Sequence, residues 1–279
     1  NPKEGRITQD HQDIAAALQL LTEETVLHVL NHVHSETKME NLCFSGGVAL
    51  NSVLNGKILS KTGFKKIFIQ PSAGDGGSVI GAAKYVQFKV ESQKLRDPLT
   101  HSSFGPEYND LEIKQFLEEK NIAYTEFGTS NEMLDHTSLL LKDNNVIGWF
   151  QGKMEWGPRA LGNRSILASP ISTDMRDILN EKVKHRELFR PFAPVVCVDD
   201  ASEYFECDSP IPEPTDYMLM VYPIRLNKRS LMPAVTHVDG SGRLQTIRKH
   251  QNPLYYDLIK KFGKHTQVPV LVNTSFNVR

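Results

Sequence analysis

Apolar residues Ile14, Leu18, Leu21, Leu27 and Leu30 recur at helical spacing through 12–32, with no Gly or Pro between them. That period predicts a long amphipathic helix. The run 41–45 reads as a short buried strand, Gly46-Gly47 as a tight turn, and 48–59 as a helix ending near Gly63. The pattern then repeats, with a strand at 66–70, a glycine-rich loop at 71–77 and a helix at 78–90. Two strand–turn–helix units in succession imply a parallel sheet. The polar stretch 91–108 carries Pro98 and Pro106 without a sustained period, so a linker and a domain boundary are expected near residue 100. Beyond it the pattern predicts helices at 110–120, 131–142, 173–184 and 254–262. Strands are expected at 122–127, 146–150, 165–168, 193–198 and 268–272. The chain is therefore expected to be α/β in both parts.

Composition narrows this picture. The 279 residues are 39% apolar and 23% charged, enough to bury a core rather than remain disordered. A balance of 32 Lys and Arg against 33 Asp and Glu leaves a net charge of −1. No global field favours a nucleic-acid backbone or an anionic membrane, so any anion site must be local. The three cysteines form no CxxC pair, which argues against a disulfide framework and a thiolate zinc site. With no secretion signal and no apolar run of membrane length in the given chain, a cytoplasmic location is expected.

Three regions hold candidate chemistry. In FSGGVALN, Gly46 and Gly47 separate a strand from a helix N-terminus, where backbone N–H groups suit a phosphate or ribose; taken alone, the octapeptide reads more readily as a plain strand-to-helix turn. PSAGDGGS repeats the geometry and adds Asp75, either a metal ligand or a cap on the following helix. The densest stretch, 151–165, sets Lys153, Arg159 and Arg164 among three glycines, and 182–191 adds Lys182, Lys184, Arg186 and Arg190. These cations are expected to converge on one anion pocket. The alternative is a solvated basic face, against which stand the interspersed Trp156, Leu161 and Phe189. His28 and His32 share a helix face, but Val29 stands where a zinc-peptidase motif needs Glu, and a surface pair is expected. The stretch 236–245 reads as a polar, glycine-bearing loop that either positions a substrate or simply turns the chain.

In this order, FSGGVALN, PSAGDGGSVIGAA, MEWGPRALGNRSILA, RELFRPFAP, THVDGSGRLQT and VPVLVNTSFN resemble the ATP-dependent O-carbamoyltransferases of nodulation-factor and antibiotic biosynthesis, the NodU type. The resemblance runs from about residue 10 to the end. It implies the C-terminal portion of an actin-like, sugar-kinase-type ATPase domain over 1–95, followed by a YrdC-like α/β domain over 96–279, with the chain truncated at both ends. The implied chemistry is carbamoyl adenylate formation from carbamoyl phosphate and ATP, then transfer of the carbamoyl group to a hydroxyl of a small-molecule or oligosaccharide acceptor. By the same resemblance Lys153, Arg159, Arg164, Arg186 and Arg190 are catalytic. Gly46, Gly47, Asn51, Gly76, Asn163, Ser165, Asn273 and Ser275 hold the nucleotide, and Asp75 is one ligand of a divalent metal, Fe(II). The family's other metal ligands are an upstream histidine pair that His28 and His32 do not match, so the chain alone is not expected to complete transfer. Two other readings share features of the sequence: a threonylcarbamoyl-adenylate synthase acting in tRNA modification, which the neutral charge disfavours, and a nucleotide-binding module without turnover.

Overall fold

The computed structural model describes residues 7–89 and 99–276. Val90, most of the expected linker and the residues from Asn277 onward lie outside the described residues.

The first segment is helix α1 (Gln9–Thr37), strand β1 (Asn41–Phe44), helix α2 (Ser52–Lys61), strand β2 (Lys66–Ile69) and helix α3 (Ser78–Lys89). β1 and β2 pair in parallel, as the repeated strand–turn–helix pattern implied. The helix expected at 48–59 is divided. A short 3-10 turn, Gly47–Leu50, precedes Asn51, whose extended backbone breaks the path and whose Oδ1 accepts the Leu54 N–H to cap α2. The first half of α1 leaves its apolar stripe in solvent, with Ile14 68% and Leu18 64% exposed, while Leu30 is buried in the core and Leu27 packs against it.

The second segment contains α4 (Asp110–Glu119), α5 (Ser130–Lys142), β3 (Ile147–Phe150), β4 (Arg164–Ala168), α6 (Met175–Ile178), β5 (Ala193–Cys197), α7 (Val198–Tyr204), β6 (Met220–Pro223), β7 (Ser241–Ile247), α8 (Pro253–Thr266) and β8 (Val270–Ser275). Among the described residues the strands form a six-stranded mixed sheet in the order β3-β4-β8-β5-β7-β6, in which β5 and β7 are parallel and the other neighbours antiparallel. Alternation along β5 sends Val195 and Cys197 toward α5 and α8, where Leu134, Leu258 and Phe262 are buried, and Val196 toward the opposite face.

That opposite core joins the two segments. Leu54, Ile58 and Ile69 cluster with Leu219, Met220 and Tyr222. Asn55 Nδ2 donates to Leu219 O at 2.9 Å and to Ala49 O at 2.8 Å. α2 lies so close to β6 that a Cβ on Gly56 would stand 2.0 Å from Val221 O, a contact only glycine permits.

Two expectations fail here for identifiable reasons. Residues 122–127 form no strand. They are mostly exposed and held beside α4 by Lys114–Glu126 (2.8 Å) and Tyr124–Glu118 (3.0 Å), with no neighbouring strand among the described residues to complete a ladder. The loop expected at 236–245 is a turn only to Gly240, after which β7 runs through the sheet. Its polar residues are tolerated because they are used: Gln245 Nε2 donates to Leu161 O (2.9 Å), and Thr246 Oγ1 donates to Asp216 Oδ1 (2.5 Å). No helix among the described residues is long and apolar enough to cross a membrane.

Candidate functional site

A cavity of about 650 Å³ opens where the loop 151–163, the end of the α6 region and strands β7 and β8 meet. Arg159, Lys184, Arg186, Arg190 and Arg243 all line it, and no Asp or Glu is among its described lining residues.

The loop carrying Arg159 is shaped by a buried carboxylate. Glu155 Oε1 accepts backbone N–H groups from Leu161 (2.8 Å), Asn163 (2.8 Å) and Arg164 (3.1 Å). The chain reverses at Gly157 and Gly162, both at positive φ, and a Cβ on Gly162 would stand 2.2 Å from the Tyr255 ring. Trp156 Nε1 donates to Gly76 O at 3.2 Å, tying the loop to the glycine-rich turn of the first segment. Lys184 ends a π-helical stretch, Leu179–Lys184, of the kind often found at functional sites. His185 at φ 47° then redirects the chain so that Arg186 also reaches the cavity. Arg186 Nε donates to Asn180 Oδ1 (2.7 Å), and its guanidinium lies 4.7 Å from the centre of the Phe192 ring. Lys184 Nζ donates to Ser275 O and to Ser275 Oγ.

The charge lining the cavity is one-sided, with Glu187 beside Arg190 (3.7 Å) lying outside the lining. Burial, with Arg159 and Arg186 nearby, lowers the Arg243 pKa to about 9, and burial together with Arg186 lowers that of Lys184 to about 8. Burial alone draws Arg159 down. Arg159 Nε and Arg243 Nε are buried with no hydrogen-bond partner among the described residues. Buried like charges without acceptors are costly unless a ligand supplies the opposite charge. The arrangement suits a compact polyanion, with guanidinium forks on its oxygens.

The known proteins this chain resembles bear on what that anion is. Residues 138–279 match the family described as Carbamoyltransferase C-terminus, and 3–84 match Carbamoyltransferase N-terminus. The nodulation protein NolNO of Sinorhizobium fredii is 44% identical over 97% of this chain and 40% of its own length. Nodulation protein NolO of Bradyrhizobium diazoefficiens is 41% identical over 97% of this chain and 49% of its own length. The chain belongs to the carbamoyltransferase family. An uncharacterized Synechocystis protein is 43% identical over 99% of this chain and 48% of its own, so the chain spans about half the length of the curated relatives it matches.

The single pocket expected for these cations needs correction at three residues. Arg159, Lys184, Arg186 and Arg190 share the cavity, whereas Lys153, Arg164 and Lys182 do not line it. Arg164 is held by carbonyls: Nη1 donates to Gln151 O (2.7 Å) and Asn163 O (2.9 Å), and Nη2 to Pro106 O and Gly152 O (3.0 Å each). Its guanidinium also stacks 3.6 Å from the centre of the Phe150 ring. Lys153 lines a second cavity, of about 590 Å³, with Asn163, Asp216 and Arg248. Asn163 bonds to Ser103, Lys153 O and Asn252, and the buried Ser165 Oγ accepts the Gly162 N–H, so both side chains shape the loop. Asn273 and Ser275 do line the cation cavity.

The two glycine turns of the first segment are neighbours, as parallel strands require, with Gly46 N–H donating to Ala73 O at 2.8 Å. That bond engages the Gly46 amide, and Asn51 is engaged by Leu54 N–H and Gln19. None of Gly46, Gly47, Asn51, Asp75 or Gly76 lines either cavity. Asp75 is exposed, and no group of three or more His, Cys, Asp or Glu that could hold a metal occurs among the described residues. One exposed carboxylate does not by itself make an iron site, so the described residues alone do not hold the expected metal.

Sequence reasoning placed His237 and Arg243 in the 236–245 stretch, read as a substrate-positioning loop or a plain turn, and gave neither residue a role. Both line the cavity. The available signal was the period-two alternation Ser241, Arg243, Gln245, which marks a strand face carrying a cation.

Proposed function

We propose that this chain binds carbamoyl phosphate and the ATP phosphates in the cation cavity and forms carbamoyl adenylate there, as part of an enzyme that delivers the carbamoyl group to a hydroxyl of a small-molecule or oligosaccharide acceptor, a transfer the chain alone does not complete. The reading keeps residues 96–279 as a YrdC-like adenylate-forming domain and 1–95 as part of an actin-like ATPase domain. The observation that carries it is the convergence of Arg159, Lys184, Arg186, Arg190 and Arg243 on one cavity without a lining carboxylate. Both substrates are polyanions, and their phosphates need several fixed cations to approach one another.

Adenylate formation balances in two steps, and in the later transfer the acceptor oxygen bonds to the carbamoyl carbon, its proton is lost and AMP leaves. Water cleaves carbamoyl phosphate to carbamate and inorganic phosphate, and a carbamate oxygen then attacks the α-phosphorus of ATP as pyrophosphate leaves. In the second step negative charge shifts onto the leaving pyrophosphate, and fixed guanidinium groups stabilise that shift without reorganising. Arg186, held by Asn180 and Phe192, is positioned in this sense before substrate arrives.

Pyrophosphate release from ATP that depends on carbamoyl phosphate tests the reading. The wild-type chain should show it, and Arg243→Ala should lower it by about a hundredfold, the usual effect of losing one fixed donor. No release by the wild type, or equal release by Arg243→Ala, contradicts the proposal.

A further inference from the structure

The cations that line the cavity are hydrogen-bond donors only. Carbamoyl phosphate carries donors of its own, the two N–H bonds of its amide, and a site made only of cations would leave them unpaired. His237, at the edge of β7, lines the same cavity.

Its tautomer follows from its neighbours. Ser241 Oγ stands 2.7 Å from Asp239 Oδ1 and 3.1 Å from His237 Nδ1. A carboxylate can only accept, so the Ser241 hydroxyl proton goes to Asp239 and its lone pair faces the imidazole. Nδ1 must then carry the ring proton, which leaves Nε2 as an acceptor. Asp239 is fixed in turn by the Ser241 N–H at 2.9 Å, and the turn is closed by His237 N–H donating to Ser241 O at 2.8 Å. Burial, opposed by Asp239 and reinforced by Arg243, holds His237 below the usual imidazole range, which keeps the ring neutral. A second acceptor lines the cavity from β8. Asn273 is 1% exposed and uses Nδ2 on Ala160 O (3.0 Å) and Gln245 Oε1 (2.6 Å), while its Oδ1 is buried without a partner among the described residues.

Resting on the proposed function, we infer that His237, oriented by the Asp239–Ser241 pair and joined by Asn273 Oδ1, selects an acyl phosphate whose acyl group carries N–H donors. The cavity thereby distinguishes carbamoyl phosphate from acetyl phosphate, which matches it in size and charge but offers a methyl group in place of the amide. A site built to accept a hydrogen bond rejects an analogue that cannot donate one, because the buried acceptor is left unpaired.

Calorimetric titration of the whole chain with carbamoyl phosphate, acetyl phosphate and inorganic phosphate tests this. The wild type should prefer carbamoyl over acetyl phosphate by at least about tenfold, the worth of one good hydrogen bond. His237→Phe should reduce that ratio to about twofold or less, and His237→Gln, which restores a neutral acceptor, should recover most of it. Circular dichroism identifies any variant that fails to fold, in which case the wild-type ratio and His237→Gln decide the matter. A wild-type ratio near one, or a ratio unchanged in His237→Phe, overturns the inference while leaving the proposed anion site standing. A wild type that binds none of the three contradicts the proposed function and the inference together.

Discussion

Arg159, on the loop 151–163, and Arg164, the first residue of β4, stand five residues apart, yet the structure treats their guanidinium groups in opposite ways. Arg164 donates to four backbone carbonyls, lies on the Phe150 ring, and has Glu155 and Glu107 near enough to oppose the effect of its burial. Arg159 faces a cavity shared with Arg243, its Nε has no partner among the described residues, and burial acts on it unopposed. A guanidinium surrounded by acceptors belongs to the fold. One desolvated among other cations is favourable only when an anion joins it, so the second environment is the one a binding site requires and the first is not.

The sharpest way to break the fold side of this comparison is to remove the carboxylate that shapes the loop. Glu155→Ala leaves three N–H groups without their acceptor and should cost about 3 kcal/mol, lowering the melting temperature by on the order of 8 °C. Arg164→Met should cost about 2 kcal/mol through lost charge-assisted bonds while leaving the affinity for inorganic phosphate within about twofold. A large loss of phosphate affinity in a folded Arg164→Met protein would place that residue with Arg159 after all.

On the site side the expected effects are smaller in energy but specific in pH. The folded-state pKa of Lys184, about 8, lies below the ordinary lysine value, so the unfolded chain binds more protons between about 8 and 10.5. Stability of the free chain should therefore rise with pH through that window. Anion binding returns the proton to Lys184. Phosphate titrations at about pH 8, in buffers of different ionisation enthalpy, should show uptake of on the order of half a proton, most of it lost in Lys184→Met because Arg243, with a pKa of about 9, is still largely protonated there. Smallest of all, Asp75→Asn should change stability by less than about 0.5 kcal/mol, since Asp75 is exposed. Ferrous iron bound by the wild-type chain and by this variant should be equally substoichiometric on metal analysis.

How far the sequence carried this comparison depends on how local each feature is. The β1–α2–β2 unit, α5, α8 and the parallel pairing of β1 with β2 follow from periodicity and glycine placement within short windows. The adjacency of the two glycine turns follows from the same rule. β7 was hidden because Gly240 and Gly242 punctuate it and its buried polar residues are satisfied by Leu161, Asn273 and Asp216, all distant in sequence. The strand at 122–127 failed in the converse way, having strand-like residues but no neighbouring strand among the described residues. In the site, the density of cations marked Arg159, Arg186 and Arg190 correctly as a group. It could not separate Arg164 from them, because a satisfied guanidinium and an unsatisfied one are the same letter. Arg243 joins the group only through the order of strands in the sheet.

The central claim is that the cavity holds desolvated positive charge for an anion, and thermal melting of wild type and Arg243→Met with and without phosphate tests it most directly. The account predicts that the free Arg243→Met protein melts no lower than wild type, because an unpaired buried charge is gone, and that saturating phosphate stabilises the wild type by about 2 kcal/mol or more but the variant hardly at all. A variant that melts well below wild type yet is stabilised by phosphate to the same extent would contradict it, and would make Arg243 a structural residue of the same kind as Arg164.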